Sequence, residues 1–272
     1  MLKIQNVIYF PHSLGQKRDG VNLAPQYLDL FLKNSAQKKH WVPVDNSSIF
    51  SNLKKLYETN MQVKGSRINI GGDHSMAIGS MAYSLNNFQN LKVIWFDAHP
   101  DINTFEKSSS KNYHGMPLSF LTGLDSDLQF NFIQQYLDFN NLLYIGIRDI
   151  DEFEQQIIDK YQIKYIKSDQ FNNNFEQSKE IIQEFINGHN VHLSFDVDGV
   201  DPKYIQSTGT RMNQGLELDN CKKILDHLHH LNEDKKINLV NIDLTEINLE
   251  LGYKMDQLTT LANSLYLFDK FI

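Results

Sequence analysis

Only one cysteine, Cys221, stands among the 272 residues, so no disulfide can close within the chain. A chain of this length buries a large core without covalent staples. A lone thiol fits a reducing compartment and a role as buried filler. Positive charge is also short, with 26 Lys+Arg against 33 Asp+Glu and a net charge of −7. Such a surface repels phosphate backbones, which argues against a nucleic-acid partner. No 18 consecutive residues are apolar, and the opening MLKIQNVIYFPHSLG has an apolar stretch too short for a secretory signal. A cytoplasmic protein with no membrane partner is the expectation. Linkers, repeats and long low-complexity tracts are missing as well, and FNNNF (171–175) reads as a polar loop. One domain over residues 1–272 is expected, since α/β folds of about 250 residues often form a single unit.

What the chain does have is alternation. Short β-type runs fall at residues 6–10, 40–44, 66–71, 91–96, 141–147, 163–167, 191–197 and 237–244. Helix-type stretches lie between them, among others at 24–34, 75–88, 151–161, 216–231 and 255–272. Several strands are nearly continuous Val, Ile, Leu and Phe, as expected when both faces of a sheet are covered. The reading is a three-layer α/β/α fold with a central, mostly parallel sheet of about eight strands.

In open α/β sheets ligands bind beyond the carboxyl ends of the strands. Three strands end in polar clusters: INIGG runs into Asp73-His74-Ser75, VIWF into Asp97, His99 and Asp101, and VHLSF into Asp196, Asp198 and Asp201. If the sheet is parallel, all three share one rim. Taken singly each has a plain structural reading. Asp-Xaa-His-Xaa-Asp can be a solvated edge, GGDHS a turn with Ser75 or Asp73 as helix cap, and Asp201-Pro202 a turn or helix start. GGDHS matches neither glycine-rich phosphate-loop pattern.

Together the clusters point to cations. Side chains two apart on a strand project to the same side, so Asp97 pairs with His99 and Asp196 with Asp198. Grouped carboxylates at the end of buried strands repel one another and take up protons unless a cation compensates. His74, Asp97, His99, Asp101, Asp196 and Asp198 offer four carboxylates and two imidazoles. That donor set suits Mn2+ better than Zn2+. Six ligands exceed one typical site and fit two metals that share carboxylates, roughly 3.5–4 Å apart.

With GGDHS, FDAHPDIN and SFDVDGVDP in this order, the sequence resembles the ureohydrolase superfamily of binuclear manganese amidinohydrolases. Further matches, DINTFEKSSSKNYHGMPLSFL, GIRDIDEFE, TGT and LTEIN, make it most similar to the arginases, over nearly the whole chain. The resemblance implies two Mn2+ per subunit, one held by His74, Asp97, Asp101 and Asp196, the other by Asp97, His99, Asp196 and Asp198. It implies hydrolysis of the guanidino group of L-arginine to L-ornithine and urea, by attack of a metal-bridging hydroxide that Asp101 also orients. His114 matches the proton shuttle, a task suited to imidazole near neutral pH. Glu246 matches the carboxylate that grips the guanidinium, with Asp243 as a nearby competitor one residue off the motif. Asn103, Ser110 and Asn112 match a loop that receives the substrate carboxylate, and Asp151 and Glu154 the side that holds its ammonium. Asp151 also reads as a helix N-cap. Thr210 matches a pocket residue near the guanidinium end. The family further implies a homo-oligomer, a trimer or hexamer.

Some positions depart from the pattern. Lys111 replaces a small residue, and Arg211 and Leu249 stand where prolines are expected. Two other readings stay open: a ureohydrolase acting on agmatine or another guanidino or formimino compound, and a non-catalytic scaffold that keeps the fold. Among the remaining histidines, His227, His229 and His230 read as a solvated helix face, and His192 as packing behind the site.

Overall fold

The computed structural model describes residues 4–32 and 37–272. Among them eight strands form one sheet: β1 Asn6–Phe10, β2 Lys38–Trp41, β3 Arg67–Gly71, β4 Leu91–Phe96, β5 Leu142–Ile145, β6 Lys164–Ile166, β7 Asn190–Asp196 and β8 Asn238–Thr245. Their spatial order is β2-β1-β3-β8-β7-β4-β5-β6, and every pairing is parallel. The helices are α1 Ala24–Phe31, α2 Ile49–Gln62, α3 Ala77–Asn87, α4 Pro117–Thr122, α5 Glu152–Tyr161, α6 Ser168–Asn173, α7 Phe175–Ile186, α8 Leu218–Glu233 and α9 Lys254–Phe268. None of the described helices is long and apolar enough to cross a membrane.

The period-two alternation of the strands builds two cores, one on each face of the sheet. Val7, Tyr9, Ile94 and Phe96 face a core shared with α1, α7, α8 and α9, whereas Ile8, Phe10, Val93 and Trp95 face one shared with α2, α3, α4 and α5. Tyr9, Phe10, Trp95 and Phe96 are fully buried. Burial of each such side chain contributes about 1.5–3 kcal/mol. This is the three-layer arrangement that the alternation predicts.

Three local expectations shift. The second strand starts two residues earlier than 40–44 and stops at Trp41, with the Val42 N–H still bonded to the Tyr9 carbonyl at 2.9 Å just beyond it. As the sheet edge it carries Lys38 and Lys39, charges that discourage pairing with another chain. The helix expected over 24–34 is seen over Ala24–Phe31, and residues 33 and 34 lie outside the described residues. FNNNF is not a loop: it spans the end of α6 and the start of α7, with Asn174 between them. Phe171 is buried and packs edge-on against Phe175 at 5.6 Å, so two aromatics anchor a junction that its asparagines disguise.

The chain order and the sheet order differ in one consequential place. The last strand, β8, inserts between β3 and β7. The four neighbouring strands β3, β8, β7 and β4 therefore bring the residues after Gly71, Thr245, Asp196 and Phe96 to one rim. Gly72 lets β3 pass close to the end of β1, since a Cβ there would overlap the His12 carbonyl oxygen.

Candidate metal centre and substrate cleft

Asp97, Asp196 and Asp198 each give Oδ1 to a backbone N–H and turn Oδ2 toward side chains, with Trp95 Nε1 donating to Asp97 Oδ2 at 3.0 Å. Asp97 Oδ1 accepts the His99 N–H at 2.8 Å, Asp196 Oδ1 accepts the Asp198 N–H at 2.8 Å, and Asp198 Oδ1 accepts the Ala98 N–H at 3.2 Å. The first two are short aspartate turns, which a strand end rich in Asp favours, and the third ties the ends of two neighbouring strands together. Asp101 and Glu246 hold left-handed backbone conformations, φ 51° and 65°, strain typical of functional turns.

The remaining donors converge. His74 Nδ1 lies 3.0 Å from Asp97 Oδ2, 3.0 Å from Asp101 Oδ2 and 3.3 Å from Asp196 Oδ2. His99 Nδ1 lies 3.3 Å from Asp97 Oδ1 and 3.2 Å from Asp198 Oδ2. The result is two donor groups, His74/Asp97/Asp101 and Asp97/His99/Asp198, that share Asp97. All six side chains expected to meet do so, from three stretches of chain.

The His74 ring stacks on Trp95 at 4.1 Å, and its Nε2 sits 2.8 Å from Ser194 Oγ. With the proton on Nε2 and donated to Ser194, Nδ1 presents a lone pair to three carboxylate oxygens. Nδ1 is buried and makes no hydrogen bond to any described residue. A nitrogen facing three carboxylate oxygens out of water is satisfied by positive charge, carried either by a proton on the ring or by a cation between the groups. These residues fit a divalent ion in each group.

Electrostatics agree. Burial and the charge of Asp97 push the Asp101 carboxyl up to about 7, and burial with Asp198 and Asp97 pushes Asp196 well above the carboxylate range. Burial alone would raise Asp97 too, but the imidazoles of His74 and His99 outweigh it and hold Asp97 below that range. Burial disfavours the charged form of His74, yet Asp101, Asp196 and Asp97 drive its affinity for a proton upward. The cluster is short of positive charge, and its donor groups could hold cations that supply it.

Beside the metal groups lies a cleft of about 230 Å³. Asn103, Ser110, His114, Asp151, Glu154 and Thr210 line it together with His99, Asp101 and Asp196. Asn103 Nδ2 donates to Asp151 Oδ2 at 2.9 Å, while its buried Oδ1 has no partner among the described residues. Asn112 is not in the lining, and its N–H braces Ser110 Oγ at 3.2 Å. Thr210 Oγ1 donates to Asp198 Oδ2 at 2.7 Å, so it holds a metal-group carboxylate as well as lining the wall. Glu154 closes back on the Asp151 N–H at 3.1 Å and takes the Ile102 N–H at 3.1 Å. Burial and the charge of Asp101 push it up to about 8. Lys111 turns away from the cleft onto the carbonyls of Phe105 and Glu106, and Arg211 lines a separate groove.

Glu246 is almost fully buried. Its Oε1 accepts the His74 N–H at 2.8 Å and contacts His114 Nδ1 at 3.2 Å, and its Oε2 accepts from Gln16 Nε2 at 2.8 Å. Burial works against protonation of His114, but Glu246 outweighs it and raises His114 to about 9. Asp243 is no competitor at the rim, because it bonds Ser80, Asn69 at 2.8 Å and His192 at 3.1 Å inside the fold.

Several neighbours escaped the sequence reading. Asp149 Oδ2 lies 3.5 Å from His99 Nε2 and lines the cleft with Ser108. Ser194, two residues before Asp196 on the same strand face, had a visible signal in that spacing. Gln16 lies in SLGQKRDGVNLAP, a stretch that shares in the family resemblance, but nothing local ties it to Glu246, 230 positions away. The histidines of α8 also differ from expectation. His229 is buried rather than solvated, and half-buried His227 pairs with Gln183 at 2.8 Å. Only His230 is well exposed among the three.

Comparison with known proteins places this geometry. A family model described as the arginase family matches residues 6–267. The arginase of Entamoeba histolytica is 31% identical, over 91% of this chain and 92% of the relative, and that of Neurospora crassa is 35% identical, over 89% and 70%. The crystal structure of the Entamoeba histolytica arginase in complex with L-ornithine superposes with a TM-score of 0.87 at 28% identity, covering 98% of both chains. The chain belongs to the arginase family.

Proposed function

We propose that this protein hydrolyses the guanidino group of L-arginine to L-ornithine and urea with two Mn2+ per subunit. The observation that carries the proposal is the buried, unpartnered Nδ1 of His74 facing Asp97, Asp101 and Asp196 beside a second donor group. When bound, the two ions supply a water acidified to near neutrality, the nucleophile for the guanidinium carbon. His74, Asp97, Asp101 and Asp196 would hold one ion, and Asp97, His99, Asp196 and Asp198 the other.

The chain's own groups position the substrate and move the protons. Glu246, fixed by Gln16 and the His74 N–H, grips the guanidinium through a charge-assisted contact. His114, charged through its pairing with Glu246, gives a proton to the leaving amine. Asn103, with Ser110 and Asn112 behind it, receives the substrate carboxylate through side-chain and loop donors. Asp151 faces the ammonium, and Glu154 holds Asp151 in place. Asp101 accepts a hydrogen bond that aims the nucleophile. Residues 1–272 act as one catalytic domain, within a cytoplasmic homo-oligomer.

Urea release from L-arginine and from agmatine, each measured with and without manganese, tests the proposal. Manganese-dependent turnover that favours L-arginine is expected. Faster turnover of agmatine would overturn the substrate, and no urea from either compound would overturn the activity.

A further inference from the structure

A second set of imidazole and carboxylate donors gathers at the opposite end of the sheet, where α8 stops and β8 begins. α8 is amphipathic, with Leu225, Leu228 and Leu231 in the core. His229 lies beside that stripe, 6% exposed, its ring edge-on to Phe271 at 5.5 Å. Its Nδ1 is enclosed and makes no hydrogen bond among the described residues. One helical turn on, Glu233 Oε2 lies 3.5 Å from His229 Nδ1 and 3.6 Å from His230 Nδ1.

We propose that His229, His230 and Glu233 form a further metal site that takes one zinc ion, separate from the centre on the opposite rim. Residues four apart on a helix share a face, so His229 and Glu233 make a natural chelate, and His230 reaches the same carboxylate from the solvent side. One donor atom from each of the three lies within 4.8 Å of the others. Bonds of about 2.0–2.2 Å at tetrahedral angles put donors roughly 3.3–3.5 Å apart. The 3.5 Å contact of His229 to Glu233 is at that spacing, and the 3.6 Å contact of His230 is just beyond it.

The donor chemistry selects the ion. Two imidazoles and one carboxylate favour zinc over manganese or magnesium, whose preferred sets are richer in oxygen. Burial holds His229 below the ordinary imidazole value, with Lys270 and His230 adding to the shift and Glu233 opposing it. Its nitrogen is therefore an unprotonated donor at neutral pH. His230 and Glu233, exposed and half-buried, leave a path for the ion and a fourth position for water.

The test uses the full chain, first loaded with manganese and then dialysed against zinc. Both metals are counted per chain, for the wild type and for Glu233→Gln and His230→Ala. These substitutions leave the buried His229–Phe271 contact in place. The wild type is expected to hold one zinc more than either variant at equal manganese, and zinc is expected to raise its melting temperature but not theirs. Equal zinc in all three proteins overturns the site, as does zinc uptake that only matches manganese lost. The difference between wild type and variants is readable whether or not manganese is retained, so its failure is distinct from failure of the arginine reading.

Discussion

Two buried polar regions sit within a few residues of each other on the same strands, and they behave in opposite ways. Below the rim, Asp243 is bonded to Ser80, Asn69 and His192, His192 also to Ser84, and Asn69 also to Asn241 and Asn60. At the rim, Asp97, Asp101, Asp196 and His74 crowd together with a nitrogen left unpartnered. Both regions are shielded from water. The lower one has partners for its carboxylate and imidazole, whereas the upper one has too many acceptors for its donors. Burial of charge alone does not mark a functional site; a surplus of one bonding type does.

The largest effect expected from this contrast is at the shared carboxylate. Asp97→Asn removes a charge from both donor groups, and turnover should fall by at least about a thousandfold, a size typical of lost metal-assisted catalysis. Urea assays with metal counted per chain check it, and near-normal turnover would break the contrast. A second effect lies in the lower network. Asp243→Ala strands Ser80, Asn69 and His192 in the core, and should cost roughly 3 kcal/mol of stability while leaving the donors at the rim in place. Denaturant unfolding together with metal content separates the two effects.

Stripping the metal should destabilise the wild type by several kcal/mol, about 4 if the ions had been at a thousand times their dissociation constant. The same treatment of Asp97→Asn should change its melting temperature much less. An equal shift in both proteins would mean that metal acts elsewhere. The smallest effect concerns His114 in the metal-free protein. Its folded value, about 9, lies above the ordinary imidazole value of 6.5. The stability it contributes is therefore complete below pH 6.5 and is lost as pH rises through about 9. The unfolding midpoint of the wild type should fall across that window, and the fall should be shallower in His114→Gln.

Much of this contrast was legible in the residues, but not all of it. The rim donors announce themselves because each follows an apolar run at spacing two, as in Asp97 and His99 or Asp196 and Asp198. The lower network hides, since Asn69, Ser80 and Asp243 lie inside runs that look like ordinary strand and helix. Asp243 and Glu246 are three apart, and only the turn of backbone after β8, with Glu246 at φ 65°, sends them to different regions. Glu154 shows the same limit. The sequence places it on the first turn of α5, but whether it faces substrate or backbone depends on Ile102, 52 residues away.

The sequence by itself determined the layer order, the strands and the donor types, because periodicity and residue chemistry are local properties of the chain. Tertiary structure alone decided that β8 lies between β3 and β7, which puts Glu246 beside His74 and His114 and leaves His74 Nδ1 facing three carboxylates. The reason is physical. Strand order and side-chain pairing arise from packing two faces of one sheet at once, and no short stretch of residues carries that information.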